Sequence, residues 1–385
     1  MSLPGPLNGV TVVDMTRVLA GPFCTLLLAE LGARVIKVET PGTGDDARAY
    51  GPFVNGKSAY FVSVNRGKES IALDLKAAGD RAVFEKLLET ADVVVENFRP
   101  GTMEKLGYGW DELHKRFPRL IYAAVSGFGH TGPHSKRPAY DMVVQAMGGI
   151  MSITGQPGAP PTRVGTSIGD LGAGLYTAIG INAALYDRAR TGEARKIDVG
   201  MLDCQINLCE NAVVRYSATG EIPGPLGARH PSITPFQVFP TRDGHMIIAA
   251  GNDVMYQRLC GALERPDLAE DARYRTNDLR NRNHDALEPE LEAELAKRGT
   301  AAWLAMLDEL GIPASGINNI EAVLAHPQVG PRNMLVEVPD ATTGTLKVAG
   351  NPIKVSGYAD PPERTAAPDL DRDRAKLLAE LGFAT

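Results

Sequence analysis

Among the residues able to do chemistry, one carboxylate has the most suggestive setting. Asp170 lies in Gly165-Thr166-Ser167-Ile168-Gly169-Asp170-Leu171-Gly172-Ala173-Gly174, directly before a helical pattern, Leu175 to Arg188. It is expected at or just before the first turn of that helix. There the unpaired backbone N–H groups and the helix dipole favour the charged form. Gly169, Gly172 and Gly174 remove side chains on both sides, so another molecule can approach the backbone closely. A second reading is structural: Asp is a favoured N-cap and explains a carboxylate before a helix without any chemistry. The helix that must position it carries Leu175, Ile179, Asn182 and Tyr186 on one face at i, i+4, i+7 and i+11.

Other chemistries have less support. Of the seven histidines only His130 and His134 stand four apart, and Gly132-Pro133 between them argues against a helix that would align them. No other His/Cys spacing suits a metal, so no metal site is expected, and both histidines are expected to be solvated. Cys24, Cys204, Cys209 and Cys260 form no CxxC pair and suit reduced thiols, with Cys24 a small core residue. Glu39 ends a strand where a dinucleotide-binding fold holds its ribose. No G-x-G-x-x-G precedes it, which argues against a nicotinamide enzyme.

The elements that position these residues alternate. Short β-rich runs at Val10–Met15, Arg34–Glu39, Ser70–Lys76, Ala91–Phe98 and Leu120–Ser126 are separated by helical patterns at Pro22–Glu30, Ala82–Leu88 and Met103–His114. This predicts an α/β fold: a large doubly wound, Rossmann-like layer, with Lys196–Met201 as a closing edge strand. Pro41–Gly67 reads as a polar stretch and Gly127–Pro138 as a surface loop before a helix at Tyr140–Met147. A Gly/Pro-rich linker at Gly220–Gly227 introduces a smaller α+β domain. That domain has a hairpin about Arg242-Asp243-Gly244 and helices at Val254–Leu263, Asp285–Lys297 and Ala301–Leu310, the last with Thr300 as N-cap. The expected boundaries are 1–220 for the large domain, 221–324 for the small one, and 325–385 returning to complete the first. The return carries a hairpin, Leu335–Val338 with Thr345–Val348, and a helix at Arg374–Leu381.

The 385 residues suit two domains. A net charge of −6 disfavours a nucleic-acid binder, so an anionic ligand must be held by local basic groups and backbone amides. The start of the chain lacks a basic and an apolar leader region, and no apolar run approaches membrane-spanning length. A cytoplasmic protein, with no membrane partner, is expected.

Val13-Asp14-Met15-Thr16-Arg17-Val18-Leu19-Ala20-Gly21-Pro22, Gly32–Glu39, Glu96-Asn97-Phe98-Arg99-Pro100-Gly101, Gly169-Asp170 and His326-Pro327-Gln328-Val329 occur together. Their combination resembles the family III CoA-transferases, the CaiB/BaiF type, nearly end to end. That family includes formyl-CoA:oxalate CoA-transferase, carnitine CoA-transferase and α-methylacyl-CoA racemase; the dicarboxylate-type members are the most alike. The resemblance implies an enzyme that moves coenzyme A from an acyl-CoA to a free acid, with Asp170 as nucleophile. It implies no resident cofactor, only coenzyme A or acyl-CoA as substrate. It also implies an interlocked homodimer in which the small domain of one subunit can cover the site of the other. A carboxylate suits the task, because its acyl adducts stay activated whereas a serine ester would not. Such a group is ionised at neutral pH and needs no general base.

Carried over by position, Arg17, Val18, Leu19 and Ala20 would contact the adenine and ribose side. Leu73, Asp74 and Lys76 would line the nucleotide, and Asn97, Phe98 and Arg99 the pantetheine route. Lys105 and Arg137 would add charge near the coenzyme. One departure is Thr40, where the oxalate-type transferase has an Arg. In the racemase branch a His precedes an Asp; here the pair is Tyr140-Asp141, and a phenol is a poor base for proton abstraction next to a thioester. Tyr140 fits a transferase better, as a wall or hydrogen-bond donor near the acyl group. Racemisation, or acyl-CoA binding without turnover, are the alternatives. Arg48, Arg229 and His230 are candidates to bind the distal carboxylate of an acceptor acid.

Overall fold

The computed structural model describes residues 3–383. The chain forms two compact units: the first comprises the chain up to Met151, Arg163–Glu221 and the chain from Pro327, the second Ser152–Thr162 and Ile222–His326. The Gly/Pro-rich stretch 152–162, assigned by sequence to the large domain, thus belongs to the second unit.

In the first unit the order is β1 (Thr11–Asp14), α1 (Ala20–Glu30), β2 (Arg34–Glu39), a hairpin of β3 (Phe53–Val54) and β4 (Lys57–Ser58), α2 (Ala59–Asn65), β5 (Glu69–Ala72) and α3 (Ala78–Thr90). There follow β6 (Val93–Glu96), α4 (Thr102–Leu106), α5 (Trp110–Arg116), β7 (Ile121–Ser126), α6 (Asp141–Met147), α7 (Ile168–Thr191), β8 (Lys196–Gly200), α8 (Met201–Leu208) and α9 (Glu210–Thr219). Six strands make one parallel sheet in the order β5-β2-β1-β6-β7-β8. The chain winds outward from β1 and then restarts at β6, so the topological switch lies between these two strands, where such sheets bind ligands beyond their carboxyl ends.

Alternate strand residues feed two cores. Val13, Ile36, Ile71, Val94 and Tyr122 pack against Phe84, Leu87 and Leu88 of α3. Val12, Val35, Val93, Val95 and Ile121 pack against Leu27 and Leu28 of α1 and Ala178, Ile181 and Ala184 of α7. Burial on both faces explains why the strands read as continuous apolar runs.

The second unit comprises β9 (Phe236–Thr241), β10 (Gly244–Ala249), α10 (Asp253–Ala262), α11 (Pro266–Glu270), α12 (Asn277–Arg282), α13 (His284–Leu295), α14 (Thr300–Glu309), β11 (Ala314–Gly316) and an exposed α15 (Ile320–Leu324), with its own core that includes Phe239, Leu259, Leu291 and Trp303. Thr300 is the first residue of α14 rather than its cap. Its N–H donates to Asp243 Oδ1 at 2.8 Å, so the hairpin turn caps the helix.

The first unit is completed by β12 (Leu335–Asp340), β13 (Gly344–Ala349) and α16 (Arg374–Glu380). The tail closes the sheet edge at β5. Asp373 Oδ2 accepts from Ser70 N–H and Asp371 Oδ1 from Ala72 N–H, while Leu377 enters the core. Among the described residues no helix is long and apolar enough to cross a membrane.

Two ion pairs lie under the strand ends with no exposure at all: Lys68 Nζ to Asp14 Oδ2 at 3.0 Å, and Lys37 Nζ to Asp45 Oδ2 at 2.8 Å. Burial opposes the charge on Asp14, but Lys68 and Lys37 outweigh it and hold the carboxyl down to about 2. Burial brings the Lys68 ammonium down to about 8, against the attraction of Asp14. Both therefore remain charged at neutral pH. Removing one partner of such a pair strands the other. Lys68→Met is expected to lower unfolding free energy by about 3–5 kcal/mol, measured by urea denaturation; a loss below about 1 kcal/mol would show that the pair contributes no more than a surface bridge.

Candidate active site

Asp170 is the third residue of α7, inside its first turn. Ser167 holds the cap position and makes no side-chain cap bond. Capping comes instead from α6: Asp141 Oδ1 accepts from Gly169 N–H at 2.8 Å, and its Oδ2 accepts from Gln145 Nε2 at 2.8 Å. Gln145 Oε1 in turn accepts from Val164 N–H at 2.9 Å. The structural reading of Asp170 as an N-cap is therefore replaced, since Asp141 does that work. Among the described residues nothing donates to the Asp170 carboxylate.

The glycines around Asp170 have a different reason from the one their spacing suggested. A Cβ on Gly169 would lie 2.7 Å from Val144 Cγ2, and one on Gly174 would lie 2.7 Å from the Ala20 carbonyl oxygen. They let α7 pack tightly on α6 and on the start of α1. The face of α7 that turns inward is Gly172, Ala173, Thr177, Ala178, Ile181 and Ala184. Leu175, Ile179 and Tyr186, placed on one face by their spacing, are 47%, 63% and 67% exposed, so that face is the outer one.

Burial, and then the nearby charge of Asp141, push the Asp170 carboxyl up to about 7. The expectation that it is fully ionised at neutral pH is corrected: desolvation outweighs the favourable helix terminus. Tyr60 on α2 senses the same charge; burial first, then Asp170, push its phenol up to about 12. Sequence gave no sign of Tyr60, because α2 lies inside the stretch read as polar and irregular.

A crevice of about 180 Å³ opens on Asp170. Its walls are the loop after β1 (Arg17, Val18, Leu19, Ala20), the loop after β6 (Asn97, Phe98, Arg99), and the approach to α6 (Arg137, Tyr140). A larger cavity of about 490 Å³ lies at the ends of β1, β2 and β5, with Leu73, Asp74, Lys76 and Thr40 in its lining. Arg17 and Phe98 line both. The two cavities therefore meet at the topological switch.

The β1 loop is held firmly. Asn97 Oδ1 accepts from Arg17 N–H and Asn97 Nδ2 donates to Arg17 O, each at 2.8 Å. Val18 sits at φ 68°, a costly conformation for a β-branched residue, and its N–H donates to Asp45 Oδ1 at 3.0 Å. The buried Lys37–Asp45 pair thus reaches the crevice wall through one hydrogen bond.

The remaining predicted residues lie elsewhere. Lys105 is exposed on α4 and lines neither cavity, although Thr102 and Leu106 line the larger one. Arg48 lines a separate cavity with Lys57 and Asp369. Its guanidinium grips both oxygens of Glu39 at 2.7 and 2.8 Å and covers the Phe61 ring, so its charge is already matched. Glu39 also accepts from Ser70 Oγ and Asp45 N–H. Arg229 and His230 belong to the second unit, where Arg229 donates to Asn281 Oδ1 at 3.2 Å and His230 stacks on Phe236. His130, expected in solvent, is buried beside Glu96; His134 is exposed.

Comparison with known proteins adds independent findings. The family model "CoA-transferase family III" matches residues 7–374. The chain is 48% identical to the acetyl-CoA:oxalate CoA-transferase of Acetobacter aceti, over 98% of this chain and 96% of that one. It is 43% identical to the succinyl-CoA:mesaconate CoA-transferase of Haloarcula hispanica, over 99% and 98%. A crystal structure of a CAIB/BAIF family protein from Brucella suis superposes with a TM-score of 0.85 at 39% identity, covering 98% of this chain and 99% of that chain.

The electrostatics of Asp170 predict a pH profile. If turnover requires the Asp170 carboxyl, raised to about 7, in its ionised form, activity is lost as pH falls through that value, and log kcat/KM should rise with unit slope and level off above about pH 8. Asp141→Asn keeps an oxygen for Gly169 N–H but removes the like charge, so the midpoint should move to lower pH. A wild-type midpoint below about 5 would contradict the desolvated setting.

Proposed function

The chain belongs to CoA-transferase family III and is an enzyme that transfers coenzyme A, and from that premise we propose that Asp170 carries the acyl group and the coenzyme in turn on their way to a dicarboxylic acceptor. The observation that carries this reading is the placement of Asp170: unbonded, in the first turn of α7, on a crevice that meets a larger cavity at Arg17 and Phe98.

In the proposed sequence an Asp170 oxygen attacks the thioester carbonyl carbon of the donor. The C–S bond breaks and coenzyme A leaves as thiolate, giving a mixed anhydride. The thiolate attacks the Asp170 carbonyl, releasing the donor acid as carboxylate and leaving an aspartyl–CoA thioester. The acceptor carboxylate attacks that thioester, expelling the thiolate and forming a second anhydride. The thiolate then attacks the acceptor's acyl carbon, which yields the new acyl-CoA and restores Asp170. Every intermediate remains activated, and no net proton or electron is needed. Solvent exclusion protects the anhydrides.

The larger cavity suits the nucleotide end, with Lys76 and Arg17 supplying local positive charge in an acidic chain. Phe98 and Asn97 would flank the pantetheine. Tyr140, 71% exposed at the mouth of the crevice, suits a wall near the acyl group rather than a base. The relatives that act on oxalate and mesaconate support a dicarboxylic acceptor. Ile179 and Leu175 of α7, Met142 and Met147 of α6, and Val213, Val214 and Tyr216 of α9 are exposed apolar groups. A second copy of the chain covering them would give the interlocked dimer that the family resemblance implies.

Two measurements test this. Asp170→Asn should lower exchange between an acyl-CoA and a panel of free acids by at least about a thousandfold, and hydroxylamine should trap an adduct on Asp170 in the wild type alone; undiminished turnover would end the proposal. Light scattering should give twice the chain mass, and Ile179→Lys should shift it toward one chain.

A further inference from the structure

Next to the residues shared by both cavities lies a carboxyl group that the transfer chemistry does not use. Glu96 ends β6, and its side chain is 3% exposed. Its Oε2 accepts from Phe98 N–H at 2.7 Å, and its Oε1 accepts from Tyr122 Oη at 2.9 Å. His130 Nε2 lies 3.7 Å from Oε1, buried and without a hydrogen-bond partner. On the other side of that ring, His130 Nδ1 is 3.2 Å from Lys196 Nζ. An ammonium can only donate, so Nδ1 is the acceptor and the ring proton belongs on Nε2, facing Glu96. Backbone bonds from His130 N–H to Asp198 fix the ring's position. The groups around Glu96 thus come from β7, from β8 and from the loop between β7 and α6, with Glu104 of α4 adding a like charge. Burial above all pushes the Glu96 carboxyl up to about 7.

A buried carboxyl held this way has a structural consequence at the crevice. The bond to Phe98 N–H closes the turn that follows β6. That turn presents Asn97 to the backbone of Arg17, and it places the Phe98 ring beneath the Arg17 guanidinium, 5.5 Å from its centre. Arg17 and Phe98, the two residues common to both cavities, therefore depend on one acceptor.

We infer that Glu96 is the positioning residue of the coenzyme route: gripped by Tyr122 and backed by His130, it sets Phe98 and Arg17 where the two cavities join, and so governs acyl-CoA binding without touching the reacting atoms. This rests on the route proposed above.

Steady-state kinetics of the purified full-length enzyme test it. Glu96→Ala should raise KM for acyl-CoA at least tenfold, with kcat and the KM for the acceptor acid within threefold of wild type. Glu96→Gln keeps an oxygen for Phe98 N–H and offers its amide to Tyr122, so its acyl-CoA KM should stay within threefold. If Glu96→Ala does not fold, judged by circular dichroism, Glu96→Asp carries the same expectation, because the shorter chain cannot reach both partners. Phe98→Ala should raise the same KM, and the double variant Glu96→Ala/Phe98→Ala should raise it by less than the product of the two single effects. A fall in kcat at unchanged KM, equal KM increases for both substrates, a Gln variant as impaired as the Ala one, or additive effects in the double variant would overturn the inference. A raised KM in Phe98→Ala with none in Glu96→Ala would overturn it and leave the route standing; an unchanged KM in Phe98→Ala would overturn the route as well.

Discussion

The crevice depends on charge buried beneath it. Asp14 ends β1 and Lys37 lies within the neighbouring β2, and their side chains meet Lys68 and Asp45 without solvent exposure. Each ion would be costly to bury alone, and each is paired with an opposite charge and makes further hydrogen bonds. Asp14 takes hydrogens from Thr16 and Thr25 as well as Lys68, and Lys37 donates to the Thr16 carbonyl at 2.7 Å. Asp45 hands the constraint onward to Val18 and Ala47. The loop after β1 is therefore anchored at Thr16 and Val18 by the cluster and at Arg17 by Asn97. A left-handed valine persists there because its surroundings over-determine it.

The second constraint is a division of labour between two aspartates. A helix start needs an acceptor for its free N–H groups, and the nucleophilic role proposed for Asp170 is served by oxygens that no other described group engages. Asp141 meets the first demand from a different helix, which leaves Asp170 unbonded, and the close approach this requires explains why position 169 is glycine. Burial above all, and then the proximity of the second carboxylate, raises the affinity of Asp170 for a proton. The geometry that frees the group also tunes it.

Much of this was legible in the sequence. Alternating apolar runs and helical patterns indicate a doubly wound layer because both sheet faces are covered, and the segments 13–22 and 96–101 turn out to be the two loops at the switch point. Asp170 stood out through its surroundings. What the sequence concealed has physical causes. The capping role of Asp141 acts across 28 residues and has no local signature. Helix α2 is only 7 residues long and sits among glycines, so periodicity could not reveal it. The apolar stripe of α7 did not reveal which side is buried, because small residues make its inner face and the large ones face out. His130 looked like a loop residue; its loop folds back over β7 and β8, and tertiary contact buries the ring.

The edge of the sheet has a bearing on how the protein is made. Strand β5 finds its lateral hydrogen-bond acceptors at residues 371 and 373, some 300 positions later in the chain. During synthesis the nascent large unit must therefore hold a bare parallel edge through emergence of the entire second unit. A bare edge of this kind is open to pairing with another strand. Folding of the second unit on its own core can proceed meanwhile, but the sheet stays unsealed at this edge until residues 371 and 373 have emerged.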